Sequence, residues 1–563
     1  MPLEAATVYE FGPFRLEPAL RQLRRDGTVV PLTPKAFDTL RVLVGSAGRV
    51  IGKDELLEKV WPDTTVADAT LAQNIFAVRR ALGASECIET VSKFGYRFVT
   101  PVHAVYAPVR SLVVLPLENL SKDPAQEYFA DGLTEALIAR IAQLHGLRII
   151  SRTSAMRYKG TRKSIPEIAR ELNVDVVVEG SVVCDGDRVR ITAQLIDPAT
   201  DASVWTRHYE HHVEDVLMLQ TEIAEAIATE ILGTVMPPLP HADKRRQVDT
   251  EAYQNYLRGR FSWNKRNEEG VRKAIDYFHA AIERDPTYAL AYTGLADAHA
   301  LLGDWGIGAV SPRDMFTQSR AAVLKALALE PDLGEAHTSL AHLHFHALEW
   351  DKADAEWRRA IELSPGHATA RHWYAYLLSA RGRHEEAFAQ ISHALRIDPL
   401  SVPIQSDVGE LAYFARQDEV AVAELRKALD MEPRFERAHR LLGHIALDHD
   451  RVEEAMAAFG VAVDVSGRAT EALAALGRGY ARTGNTPALQ NILTELSTKP
   501  YVSPYTLATI HAAGERLDEA WSLLNEACEQ GVAGLPFIGV DPRLATLHGD
   551  RRFDGLLRRV GLS

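Results

Sequence analysis

A phrase that ends in proline or glycine returns along the C-terminal half of the chain at a constant interval. ALALEP closes at Pro331, AIELSP at Pro365, ALRIDP at Pro399, ALDMEP at Pro433 and AVDVSG at Gly467, each 34 residues after the last. An earlier copy, AIERDP, closes at Pro286, 45 residues before Pro331. A fixed period of this length means one supersecondary unit stacked on copies of itself, because a single unit cannot bury its own apolar face. Proline lacks a backbone N–H and ends a helix, so each phrase marks a helix C-terminus. Small residues and one large aromatic recur inside the period. In the unit closing at Pro365 they are Leu340, Ala341, Ala353, Trp357 and Ala360; in the unit closing at Gly467 they are Leu442, Gly443, Ala455, Phe459 and Ala462.

These positions resemble the tetratricopeptide repeat, which implies a pair of antiparallel helices per unit. The resemblance covers 249–530, more loosely around Leu476, Gly477 and Tyr480 and around Ala508, Ala520 and Ala527. The long first step places an insertion at Gly303–Asp314, expected to be a surface loop. Residues 531–563 carry isolated helical signal and are expected to form a helical tail. Tetratricopeptide arrays curve, and their concave face commonly holds a protein or peptide segment, so such a partner is expected at the repeats.

At 563 residues the chain is too long for one core, and its sequence changes character upstream of the repeats. Between 110 and 235 short apolar runs (SLVVLPL, VDVVVEGSV), a hairpin-like pair (RVRITAQLID, SVWTRHYE) and helical stretches at Asp131–Leu144 and Ile165–Leu172 predict a small α/β domain. This segment resembles the N-terminal domain of TolB. LGTVMPPLPHADKRR follows, and 236–248 is expected to be a linker.

The net charge is -13, yet residues 1–106 hold 13 Lys and Arg against 12 Asp and Glu, so the acidity lies elsewhere. In this neutral segment alternating strands with an Asp26-Gly27 turn precede three helical stretches. The first is opened by Thr33 as N-cap and Pro34, with Phe37, Leu40, Leu43 and Val44 inward; the third is capped by Asp68 and stopped by Gly83. The hairpin TVSKFGYRF follows. LTPKAF, GRVIGKDELLEKVW, VADATLAQNIFAVRRALG and TVSKFGYRF together resemble the OmpR/PhoB-type DNA-binding domain in order and spacing. The resemblance implies a winged helix-turn-helix over 1–105 that binds double-stranded DNA, its third helix in the major groove and its hairpin wing in the minor groove.

Sorted by helical angle, Leu71, Ile75, Val78 and Leu82 of the third helix face inward, and Thr70, Gln73, Phe76, Ala77 and Arg80 face outward. Gln73 has the geometry to pair with adenine, and Phe76 or Ala77 to meet a thymine methyl. Thr70, Asn74, Arg79 and Arg80 are phosphate candidates, Arg79 also a partner for structural acids. On the wing the candidates are Lys93, Tyr96 and Arg97, with Gly95 allowing a tight turn or a close backbone approach. Lys93 stands where many members of the family have glycine.

Other chemistries are not indicated. Cys87, Cys184 and Cys528 are isolated, which excludes a disulfide framework and fits a reducing cytoplasm. HTSLAHLHFH lacks the carboxylate that a zincin requires, so no metal site is expected. No phosphate-binding glycine loop and no nucleophile elbow occurs, and neither a cofactor nor an enzyme activity is expected. No secretory signal and no membrane span are expected either. The expected whole is a multidomain, cytoplasmic, one-component regulator: an α+β winged helix-turn-helix, a small α/β domain and an all-α solenoid. It resembles the HilA-like and CadC/ToxR-like regulators without a transmembrane helix. Tight binding favours a homodimer that places two heads on repeated half-sites. The alternative is a scaffold whose winged helix has become a protein-interaction module.

Overall fold

A computed structural model describes residues 7–562 except for 18–20, 62–65, 67, 84–86, 107–109, 122–125, 145, 186–187, 213–214, 233–247, 265–267 and 304–311. Most of the expected linker and of the insertion in the repeats lies outside the described residues.

The N-terminal meander consists of β1 (Thr7–Phe11), β2 (Phe14–Glu17), β3 (Gln22–Arg25) and β4 (Thr28–Val30). Asp26 and Gly27 turn β3 into β4 with φ of 50° and 82°, the left-handed pair that matches strand twist in a two-residue hairpin. Then α1 (Pro34–Gly45) begins as its sequence predicts: Thr33 accepts a hydrogen bond from the amide of Ala36, and Pro34 fills the first position. Its buried stripe is Phe37, Leu40, Leu43 and Val44. β5 (Val50–Gly52), α2 (Lys53–Val60), α3 (Asp68–Leu82), β6 (Ile88–Val91) and β7 (Gly95–Phe98) complete the helix-turn-helix and wing, with strand order β5-β7-β6. α3 starts at Asp68, whose capping side chain lies outside the described residues. One strand is not evident from the sequence: β8 (His103–Tyr106) returns antiparallel along β1 and closes the first sheet as β4-β3-β2-β1-β8.

The middle region is α/β, as expected. β9 (Ser111–Val114), β10 (Glu118–Asn119), α4 (Glu127–Ile141), β11 (Arg148–Ile149), α5 (Arg152–Met156), α6 (Ile165–Leu172), β12 (Val176–Asp185), β13 (Arg188–Asp197), β14 (Ala202–His212) and α7 (Val216–Leu232) build a sheet of order β11-β9-β12-β13-β14, with β10 on β12. Its first three strands are parallel and the long hairpin is antiparallel. α6 has the predicted bounds. α4 starts a turn before the predicted Asp131 because Phe129 and Ala130 are themselves buried.

Among the described residues, sixteen helices between Thr250 and Gln530 form the repeats. Gly334–His346 packs on Trp350–Leu363, and Pro365 follows where the second helix has ended. The recurring residues are the packing contacts: Ala341, Ala353, Trp357 and Ala360 are fully buried, and a Cβ on Gly443 would lie 2.5 Å from the Phe459 ring. Gly467, which replaces the proline, ends its unit in the left-handed region at φ 62°.

Two long-range arrangements have no local sequence signal. First, the middle region and the first repeat share one core, in which Leu133 and Leu137 lie with Tyr253 and Leu257. A Cβ on Gly132 would come within 2.5 Å of Leu257, so glycine is what allows these two helices to touch. The same region braces the repeats further along: Ser154 Oγ donates to Asp398 Oδ1 (2.6 Å), Ser151 N to the Ile397 carbonyl (2.8 Å) and Gly366 N to the Ala142 carbonyl (3.0 Å). Second, the tail is not a set of isolated helices. It runs through the 3-10 turns Leu535–Phe537 and Pro542–Leu547 into the helix Arg551–Val560 and packs back on the repeats. Phe537 enters a cluster with Phe345, Tyr376 and Phe414 at ring centroid distances of 5.7, 5.6 and 5.3 Å. Trp350 Nε1 donates to the Val560 carbonyl (2.7 Å).

Candidate nucleic-acid interface

The core of the N-terminal unit is its own: Leu71, Ile75, Val78 and Leu82 of α3 pack with Phe37, Leu40, Leu56 and Phe98. Burying that stripe turns the opposite face of α3 outward. Ala69, Ala72, Gln73, Phe76 and Arg80 are exposed, Phe76 to 68%. Thr70 is half-buried and its carbonyl accepts from Asn74 Nδ2 (2.9 Å), so Asn74 turns back along its own helix. Ala77 is half-buried against the core, less outward than its helical angle suggests.

The two arginines of α3 have separate fates. Arg79 ties the helix to the wing, donating through Nη2 to the Ile88 carbonyl (2.6 Å) and the Thr90 hydroxyl (2.8 Å). It is therefore a brace and not a free cation, and its partners are a carbonyl and a hydroxyl where acids were also considered. Arg80 is exposed and makes no ion pair with any described residue.

The wing hairpin pairs Ile88 with Phe98, Glu89 with Arg97, Thr90 with Tyr96 and Val91 with Gly95. Gly95 serves the close approach and not the turn, because β5 runs directly beside it and a Cβ there would overlap the Ile51 carbonyl oxygen. The turn is made by Ser92, Lys93 and Phe94, with Lys93 at φ 68°. Side chains other than glycine and asparagine enter this region at a cost of about 1 kcal/mol. A Lys93→Gly chain should therefore unfold at higher denaturant, with its head more stable by roughly 1 kcal/mol, and bind nucleic acid with a shallower salt dependence.

Tyr96 corrects an expectation. It is expected among the DNA contacts of the wing, but it shares a strand face with Phe98, opposite Arg97, and its ring is 8% exposed in the core. Arg97 is half-exposed and paired: Nε donates to Glu89 Oε2 (2.9 Å) across the hairpin. Together with Lys93 the wing thus presents a net of one positive charge, not two. Behind it, Arg49 and Lys59 both reach Glu55 (2.6 and 3.0 Å), and Arg49 first, then Lys59, holds that carboxyl below its ordinary range.

Sequence reasoning missed Phe94. At the wing tip it is 71% exposed; with Phe76 it forms the pair of most exposed large apolar side chains among the described residues. Both sit on the elements with the candidate contacts. The available signal was three aromatics around a single glycine in one hairpin, of which two point inward and the one in the turn cannot.

Comparison with known proteins agrees with these segments. Residues 27–98 match the family described as "Transcriptional regulatory protein, C terminal". Residues 109–226 match "HilA/YgeH-like transcriptional regulator, second domain", and 264–306, 338–402 and 409–466 match "Tetratricopeptide repeat". The middle-domain match is thus to HilA/YgeH-like regulators, and the likeness to TolB gains no support from it. The chain is 24% identical over 394 residues to transcriptional regulator HilA of Salmonella typhi, covering 67% of this chain and 68% of that one. It is 38% identical over 91 residues to transcriptional regulatory protein CutR of Streptomyces coelicolor, covering 16% and 42%. It is also 34% identical over 243 residues to a protein of Rhizobium meliloti that carries an adenylate cyclase name, covering 43% of this chain and 40% of that one. The chain thus spans well under half the length of this last relative. No described helix is long and apolar enough to cross a membrane.

Proposed function

We propose that this chain, in which the DNA-binding domain of OmpR/PhoB-type transcription regulators is joined to a HilA/YgeH-like second domain and tetratricopeptide repeats, is a one-component, cytoplasmic regulator of transcription whose C-terminal region controls the head. The observation that carries this reading is the outward face of α3 beside the wing tip. Gln73, Phe76 and Arg80 on the helix and Lys93 and Phe94 on the wing are exposed and Arg97 is half-exposed, while the other aromatics of the unit pack in or against its core. Small side chains at Ala69 and Ala72 let the helix sink to the base edges. In this reading Gln73 reads adenine, Phe76 meets a thymine methyl, and Arg80 and Lys93 hold phosphates. Arg97 pairs with Glu89 through Nε and Nη2, which leaves Nη1 for a phosphate but offsets its charge and tunes the wing toward modest affinity.

Control from the C-terminal region is supported by the continuous core between the middle region and the repeats. A change in the repeats must move β9–β14 with them, whereas the head has a separate core and is free to be presented or paired. Two heads on repeated half-sites would supply the affinity that a single head with few cations lacks.

The test is binding of the full chain to genomic fragments across salt concentrations. Selection of discrete sites, with a salt slope corresponding to a few phosphates, is the expected result. Gln73→Ala should relax preference at one base pair by about 1–3 kcal/mol, and Lys93→Ala should weaken all sites alike and lower the salt slope by about one. The exposed rings of Phe76 and Phe94 favour one other reading, a protein-docking face. Salt-independent capture of fragments, or none, would leave that reading standing and remove the regulator.

A further inference from the structure

The first helices of successive repeats line a common inner face, and the tail crosses it without filling it. Between them lies a cavity of about 490 Å³, within the size range of sites for small organic molecules. One wall is aromatic: the His342 ring centroid lies 4.4 Å from that of His346 and 4.5 Å from that of Trp373. The opposite wall is charged. Asp407, Glu410, Glu436 and Glu471 face Arg437 and Arg440. Arg437 binds Asp407 (3.3 Å) and Glu410, and Arg440 Nε donates to Glu436 Oε1 (2.8 Å). Arg543 also reaches the cavity, but Asp541 neutralises it at 2.7 Å. Four carboxylates thus stand against two available guanidiniums and the imidazole of His372, whose Nε2 pairs with Asp407 Oδ2 at 2.7 Å. Glu471 accepts from Thr506 Oγ1 (3.1 Å) and forms no ion pair with a described residue.

Four buried polar atoms of lining residues make no hydrogen bond: His346 Nδ1, on a residue 8% exposed, Asp407 Oδ1, which is ion-paired with Arg437 Nη1 at 3.3 Å, and the donors Trp357 Nε1 and Arg437 Nε. Unsatisfied atoms at such depth are costly, and here all belong to residues that line the cavity. Burial, and then His342, hold His346 well below the ordinary histidine range, so its ring is neutral and one nitrogen can accept.

We propose that this cavity binds a small organic cation with an aromatic or apolar body, its ammonium among Asp407, Glu410 and Glu471 and its body against His342 and Trp373. The proposal rests on the reading of the repeat region as the controlling part. An ammonium brings donors and no acceptor, which suits the carboxylate of Glu471, paired with no cation among the described residues, and the neutral imidazole of His346. Aromatic faces attract the cation and its apolar stem together. An anion of the same shape would meet the unpaired Glu471 and the carboxylate excess. Because Gly534 and Phe537 form part of the lining, a bound molecule touches the tail as well as the repeats.

The test is calorimetric titration and thermal unfolding of the full chain with phenethylamine, tyramine and choline, against phenylacetate and phenethyl alcohol as matched anion and neutral. At least one of the three cations should bind saturably and raise the unfolding midpoint, with the anion and alcohol inert. Glu471→Gln should weaken that binding about tenfold, and Trp373→Ala should do so independently of charge. No saturable binding by any of the three, or equal binding of phenylacetate, overturns the proposal. DNA affinity is read in parallel: a cation that binds without changing it leaves the site in place and removes the controlling role of the repeats.

Discussion

A Gly95→Ala chain is expected to lose specific DNA binding and to unfold its head at distinctly lower denaturant. Gly95 lies in β7 between Val91 of β6 and Gly52 of β5. An added Cβ would overlap the carbonyl oxygen of Ile51 and lie 2.9 Å from its carbon and 3.0 Å from Gly52 Cα. These are backbone atoms of the neighbouring strand, at the end of the ladder next to the wing turn, so no rotamer change relieves the contact and the strands must part there. Parting them also breaks the hydrogen bond from Lys53 N to the Phe94 carbonyl (3.2 Å), which sets the wing tip over the start of α2. The expected loss is about 3 kcal/mol or more for the head. Because the head has its own core, the repeat transition should stay where it was, and two-stage denaturation followed by fluorescence and circular dichroism would show it. Unchanged stability of Gly95→Ala would mean that β5 and β7 are not packed as described.

Phe537→Ala is expected to release the tail. The side chain is 5% exposed and fills the space between Phe345, Tyr376 and Phe414, which belong to three successive repeats. Truncating a buried phenylalanine costs about 3–5 kcal/mol through lost burial and the void left behind. Beyond that point the tail is held by Tyr505 Oη donating to Asp541 Oδ2 (2.8 Å), by Trp350 donating to Val560 and by the core it shares with Trp521 and Leu524. Limited proteolysis should therefore cut Phe537→Ala after residue 530 at a rate the parent chain does not show, with helical content of the repeats largely kept. Equal resistance of the two chains would show that the tail is held elsewhere.

Local signals carried much of this fold. The 34-residue period places both helices of each repeat and their contacts, since Ala353, Trp357 and Ala360 must meet Leu340 and Ala341 wherever the pair forms. The inward stripe of α3, the Thr33 cap and the Asp26-Gly27 turn are equally local, each set by hydrogen bonds or angles within a few residues. The candidate interface was legible only in part. Helical angle separates Gln73, Phe76 and Arg80 from the core, and strand alternation sets Tyr96 on the face of the buried Phe98, opposite Arg97. That is why Tyr96 packs inward and Phe94 is left at the tip. Nor does a basic residue in sequence announce its partner: Arg79 is spent on the wing's backbone and Arg97 on Glu89 because of how α3 and the hairpin meet.

By itself the sequence determined the order of a winged head, an α/β middle and a helical repeat array, since each follows from periodicity and turn chemistry within short spans. Only the tertiary structure decided that the middle region and the repeats share a core and that the tail lines a cavity inside the array. Those outcomes depend on pairs as distant as Ser154 with Asp398, 244 residues apart, and Trp350 with Val560, 210 apart. Such pairs meet because small angles between successive helix pairs add up over the whole array, and no short stretch of sequence encodes that sum.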